Sequence, residues 1–386
     1  MKPEKKKVNS IMNKQMTEED LLAYEESHNF ARDNQIAEIS KTGYQLLKEN
    51  NASDAIDCFS RILALDENNN YALVGMGDAS RKMGSNREAV KYYQRCLSHH
   101  PGNNYALFGL ADCYKAMNQY QKAIEIWEQY LRYDDKNITV LTRIADAYRK
   151  IRDFSNSKII YKKVLEMEED NPYAIIGLGH LHYDFKEYRD ALFYLEKMIK
   201  DGIDNVDIRV LTSIGNCHRK LKTFTEGIPF FEAALSRENT NFYALFGLAD
   251  CYRGMDLLEK SLEYCHRILE NDPDNRMILT RTGDAYRKTN NYEKAKYYYE
   301  KALDLEFDTY AILGLAMLAK SQEKYDEAVV ALKKLIQQDN KNYRFYIDLC
   351  NCYLKMGDRG KAVDTLESFQ RMGIKNARIS EMLLSI

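Results

Sequence analysis

No uninterrupted apolar run in the sequence approaches the roughly 18 residues that a membrane-spanning helix requires. Nor does either charge dominate: 56 Lys and Arg stand against 58 Asp and Glu, a formal net charge of -2, in 386 residues. A chain so balanced has no global field to favour a polyanion. The eight cysteines include no Cys-x-x-Cys pair, so the spacing of common zinc and redox sites is missing. Also absent are a glycine-rich phosphate loop, a nucleophile elbow and the helix signature of zinc proteases. The opening MKPEKKKVNS has the charge of a secretory leader, but no apolar segment follows it, and a cytoplasmic location is expected.

What the sequence has instead is a period. Tyr105 to Asp135 contains two amphipathic helical patterns around a short polar turn, Leu107, Leu110, Ala111 and Tyr114 first, then Ala123, Trp127 and Tyr130. Spacings of three and four put each set on one helix face. The pattern restarts near Ile36, Asn70, Asn104, Ile138, Pro172, Ile208, Phe242, Arg276, Thr309 and Tyr343, so seven of the nine intervals are 34 residues. A fixed period of this length marks a helical-hairpin array. Counting from each start, position 8 is Gly43, Gly77, Ala111, Ala145, Gly179, Gly215, Ala249, Gly283, Ala316 and Cys350. Position 20 is Ala55, Ala89, Ala123, Ser157, Ala191, Gly227, Ser261, Ala295, Ala328 and Ala362. A small residue on each helix of a hairpin lets the two backbones approach closely.

The sequence resembles the tetratricopeptide repeat (TPR) family, with Leu107, Ala111, Tyr114, Ala123 and Trp127 carrying the family pattern in one repeat and Leu245, Ala249, Tyr252, Ser261 and Pro273 in another. The resemblance implies an all-α fold, a right-handed superhelical solenoid of tandem antiparallel helix hairpins. Ten repeats are expected over residues 36–375, after a disordered basic tail (1–16) and an N-terminal capping helix (17–35), and before a C-terminal capping helix (376–386). Thr17 and Asp20 suggest a capping box for the first of these helices. Ile379, Met382, Leu383 and Ile386 give the last one a short apolar face, on which a second copy of the chain could pack.

In proteins of this family, positions 2, 5, 6, 9, 12 and 13 of each first helix line a concave groove. Transferred here, position 2 supplies Tyr105, Tyr173 and Tyr243, with Tyr71 and Tyr310 alongside. Position 9 supplies Asp112, Asp146, Asn216, Asp250 and Asp284, and position 12 supplies Lys115, Arg149, Arg219, Arg253 and Arg287. Arg143 and Arg281 stand at position 6 of two repeats, where Gly75, Gly109, Gly177, Gly247 and Gly314 stand in others. An acid and a base three residues apart pair within one helix for a few tenths of a kcal/mol, or together face a ligand that has both donors and acceptors. Repeats opening on Tyr-Ala alternate with repeats carrying Thr142, Thr212 or Thr280. Glycine costs a helix about 1 kcal/mol, and its recurrence beside a tyrosine suggests either close approach of a ligand or tight helix packing.

The function expected from this is a non-enzymatic scaffold or adaptor that binds an extended peptide or helix of another protein in the groove, with no cofactor and no metal. One TPR subgroup grips a chain terminus with Lys at position 5 and Asn at position 9. Here those positions pair Val74 with Asp78, Phe108 with Asp112 and Thr142 with Asp146, and an aspartate repels a carboxylate. The alternative is a nucleic-acid-associated or regulatory subunit using the basic row. The matching aspartate row and the near-neutral charge argue against it. Cys113, Cys217, Cys251 and Cys352 share position 10 with alanines of other repeats and read as small core residues. His182 and His218 occupy position 11 of successive repeats, usually aromatic core, and are not expected to share a metal.

Overall fold

The computed structural model describes residues 18–200 and 202–386, with side chains from residue 32 onward. The expected tail and Thr17 lie outside the described residues. The described chain contains no strand, and it divides into two compact units with the boundary after Leu181. The first unit holds α1 (Glu18–Lys48), α2 (Ala52–Leu65), α3 (Asn70–Lys82), α4 (Asn86–His99), α5 (Asn104–Ala116), α6 (Tyr120–Leu131), α7 (Ile138–Lys150), α8 (Phe154–Met167) and most of α9 (Pro172–Asp184). The second holds α10 (Tyr188–Leu195) with a following 3-10 turn, α11 (Ile208–Leu221), α12 (Phe224–Arg237), α13 (Phe242–Gly254), α14 (Leu258–Asn271), α15 (Arg276–Lys288), α16 (Tyr292–Leu305), α17 (Thr309–Ser321), α18 (Tyr325–Gln338), α19 (Tyr343–Lys355), α20 (Arg359–Gln370) and α21 (Ala377–Ser385). From α1 to α20, odd-numbered helices are the first of each hairpin and even-numbered ones the second.

Short side chains set the ends of these helices. Asn69, Asn103, Asn137, Asn241 and Asn275 each accept the amide three residues on, a cap worth about 1 kcal/mol. Inside every hairpin the chain reverses through one residue of left-handed backbone, always fifteenth from the start of its repeat. It is Gly84 or Gly357 in two hairpins and Asn50, Asn118 or Asn290 in three, but Arg152, Lys186, Lys222, Asp256 and Glu323 adopt it too. Large rings at position 24 fill the hairpins, with Phe59, Tyr93, Trp127 and Tyr161 buried in the first unit and Phe231 and Tyr299 in the second.

The separate helix expected before the first repeat is not separate. Residues 18–48 form one helix, because nothing between Asp33 and Ile36 breaks helical geometry. Its Ile36, Ile39 and Leu47 are buried in the first core. At the other end α21 buries Ile379 and lays Met382, Leu383 and Ile386 against the last core, while Leu384 is exposed. No described helix is long and apolar enough to cross a membrane.

Candidate functional site

The glycines at position 6 are occupied from within. A Cβ on Gly109 would lie 2.4 Å from the ring of Tyr93, on Gly177 2.3 Å from Tyr161, on Gly247 2.3 Å from Phe231 and on Gly314 2.3 Å from Tyr299. Each ring comes from the second helix of the preceding hairpin and lies under the next odd-numbered helix. The glycines therefore accommodate the core, which overturns the reading that they admit a ligand. The tyrosine hydroxyls then donate to the position-9 acid of their own repeat: Tyr93 to Asp78, Tyr161 to Asp146 and Tyr299 to Asp284, each at 2.7 Å. Burial pushes the Asp78 carboxyl up, and the bonds from Tyr93 and Arg81 only partly offset it.

Where position 24 has no tyrosine hydroxyl, the acid is held differently. Trp127 and Cys265 occupy that place in the repeats of Asp112 and Asp250, and the next repeat puts Arg143 or Arg281 where the others have glycine. Each arginine reaches back 31 residues: Arg143 Nη1 donates to Asp112 at 2.5 Å and Arg281 Nη1 to Asp250 at 2.7 Å. From the preceding repeat, Arg81 donates to Asp112 at 3.0 Å and Arg219 to Asp250 at 2.6 Å. Arg253, on the same helix as Asp250, adds a bond of 2.5 Å. Phe108 lies 4.7 Å from the Arg143 guanidinium, and Phe246 4.6 Å from that of Arg281, a cation–π arrangement that fixes each plane. Burial alone would raise the Asp250 carboxyl, but the bonds and charges of Arg253, Arg281 and Arg219 outweigh it and bring it down to about 2.

The other expected residues divide between pairing and exposure. Arg149 lies 3.4 Å from Asp146, Arg287 3.8 Å from Asp284, and Arg219 donates to Asn216 at 3.0 Å. Lys115, the counterpart of Arg253, is exposed. Thr142 and Thr212 donate to carbonyls of their own helices and Thr280 to Asp308. The position-2 tyrosines have no such role: Tyr71, Tyr105, Tyr173, Tyr243 and Tyr310 are 61, 80, 74, 67 and 75 % exposed.

Reading the rows separately missed Phe108, Phe246 and the three tyrosines that hold acids, Tyr93, Tyr161 and Tyr299. The signal was available as a correlation: tyrosine at 24 accompanies glycine at 6 of the next repeat, whereas tryptophan or cysteine accompanies arginine. His182 and His218 have different hydrogen-bonding neighbours. His182 Nδ1 is 2.6 Å from Glu187, and His218 Nδ1 is 2.9 Å from the Thr223 hydroxyl. His182, Glu187 and Asp190 each place a ligand atom within 4.8 Å of the others, one buried imidazole beside two exposed acids. Burial pushes the Cys113 thiol up to about 11 and those of Cys217 and Cys251 up to about 12.

Tandem hairpins with a small-residue seam define a class of helical repeat proteins. Sequence models of the tetratricopeptide repeat match residues 80–146, 138–171, 243–275, 277–308 and 319–371. The chain belongs to the tetratricopeptide repeat family. No protein of curated function matches it. Among solved structures it is similar to MamA protein, at 22% identity over 44% of this chain and 92% of that one, with a TM-score of 0.39. It is also similar to YrrB, described as a TPR protein with an unusual peptide-binding site, at 21% identity over 51% of this chain and 97% of that one, TM-score 0.42. A tetratricopeptide repeat protein from Parabacteroides merdae shares 13% identity over 84% of this chain and 99% of its own, TM-score 0.34.

Proposed function

We propose that the protein is a non-enzymatic scaffold or adaptor of the cytoplasm, binding an extended peptide or a helix of another protein along the face of its odd-numbered helices. The observation that carries this reading is the tyrosine row. Five rings at one repeat position stand 61 to 80 % exposed on first helices, Tyr71, Tyr105 and Tyr173 in one unit and Tyr243 and Tyr310 in the other. Aromatic rings left in solvent at a repeated position suit a surface that a partner covers, and tyrosine combines a large apolar contact with a polar tip at low entropic cost. The acids and bases between them are already oriented by one another, which favours a ligand with both donors and acceptors.

The basic row does not favour the nucleic-acid alternative, because its arginines are held on aspartates of their own helix or of the next repeat. The test uses a display library of random dodecapeptides selected on the intact chain. Replacing Tyr105, Tyr173, Tyr243 and Tyr310 by serine is expected to weaken the selected peptides at least about tenfold while circular dichroism stays unchanged. Undiminished binding would move the working surface elsewhere.

A further inference from the structure

The acid and base rows balance in number but not in place. At Asp250 three guanidiniums meet one carboxylate, three positive charges against one negative, so the cluster is locally cationic. Asp250 itself is buried and out of a partner's reach. The side chains of Arg253 and Arg281 are not, at 44 and 33 % exposed. Arg253 uses Nε and Nη2 on Asp250, and Arg281 uses Nη1. Among the described residues, Arg253 Nη1 and Arg281 Nη2 have no acceptor. Both side chains line a cleft of about 840 Å3 in the second unit, together with Arg287 and Lys288 at the C-terminal end of α15. The Nε of Arg287 is buried without an acceptor. Four acids line the cleft: Asp284 lies among the arginines, accepting from Tyr299 and 3.8 Å from Arg287, whereas Asp274, Glu306 and Asp308 are at the other end of α15, the last two bound by Arg276. The cleft is thus polarised along α15, with its unmatched donors at the arginine end.

We propose that this cleft receives an acidic segment of a partner protein, a partner carboxylate being bound by Arg253 and Arg281, which Asp250 holds from behind. The inference rests on the scaffold reading and names the chemistry of its ligand. Arg matches a carboxylate with paired donors in a fixed plane. Here the planes are set before binding, by Asp250 and by Phe246, so the ordering cost that flexible surface arginines carry on association is largely removed. A cleft of this size lies within the range that binds small ligands and short segments.

The experiment again selects random dodecapeptides on the intact chain. The inference expects the selected peptides to be rich in Asp and Glu. Changing their acids to Gln or Asn should weaken binding at least about tenfold, a measurement that needs no protein variant. Arg253→Gln with Arg281→Gln should do the same, while Arg209→Gln with Lys296→Gln, an equal loss of charge at exposed sites, should leave binding unchanged; circular dichroism confirms that each variant is folded. Selected peptides that lack acids and ignore Arg253 and Arg281 would overturn this inference and leave the scaffold reading intact. Failure to select any peptide would overturn both. An oligouridine RNA of about 20 nucleotides that displaces the peptides at about 150 mM salt would overturn the acidic peptide in favour of a phosphate polymer.

Discussion

Asp250 shows how much one side chain's role depends on its neighbours. Asp78, Asp146 and Asp284 occupy the same repeat position and accept a tyrosine hydroxyl, whereas Asp250 accepts from arginines on three helices. Its carboxyl falls from an ordinary 3.8 to about 2, so in the folded chain it stays ionised where the unfolded chain takes up a proton. A depressed acid of this kind stabilises fully above the unfolded value, and the contribution is lost as pH falls through the folded one. The shift corresponds to roughly 2 kcal/mol. Asp250→Asn is therefore expected to lower stability at pH 7 by about that amount, and the gap to the parent should close between about pH 4 and pH 2. Urea denaturation midpoints across that range measure it. A gap that stays constant with pH would show that the carboxylate charge is not what holds the arginines.

Between elements, the contact that matters is ring against glycine. Every position-6 glycine in the repeats opening on Tyr-Ala has the preceding hairpin's ring within 2.3 to 2.4 Å of where a Cβ would sit. Added volume in a packed seam costs about 1–3 kcal/mol, against about 1 kcal/mol gained from removing a helical glycine. Gly247→Ala should therefore lose up to about 2 kcal/mol net. In a Phe231→Leu background, where the ring is gone, the same change should cost less, a coupling read by a double-mutant cycle. Equal costs in the two backgrounds would separate Gly247 from Phe231. The hairpin turn follows a different rule. Left-handed backbone recurs at the fifteenth residue of all ten hairpins whether or not the residue is glycine, because the short loop that lets two helices pack closely at their small residues imposes the reversal.

At the scale of the whole chain, the fold was legible because each repeat solves the same packing problem. A small residue at positions 8 and 20 is needed wherever two helices approach, so the period shows in any one repeat. The candidate site was only partly legible, since what an aspartate does is decided 15 residues away by the presence of a tyrosine and 31 residues away by the presence of an arginine. Neither row read by itself contains that choice. Residues 18 to 48 form one helix where the repeat period suggests two for a related reason: a repeat start is not a helix start unless a breaker enforces one. The proposed function uses the surface that packing does not, chiefly the exposed tyrosine row.

Chemical nitration of tyrosines, with and without a saturating selected peptide, tests that claim most directly. In the free chain Tyr105, Tyr173, Tyr243 and Tyr310 should react, as should Tyr297, which is exposed on an even-numbered helix, while the buried Tyr93, Tyr161 and Tyr299 should not. On binding, reactive tyrosines of the odd-numbered helices should be protected and Tyr297 should remain reactive. Protection of Tyr297 with the odd-numbered row still open would contradict the account.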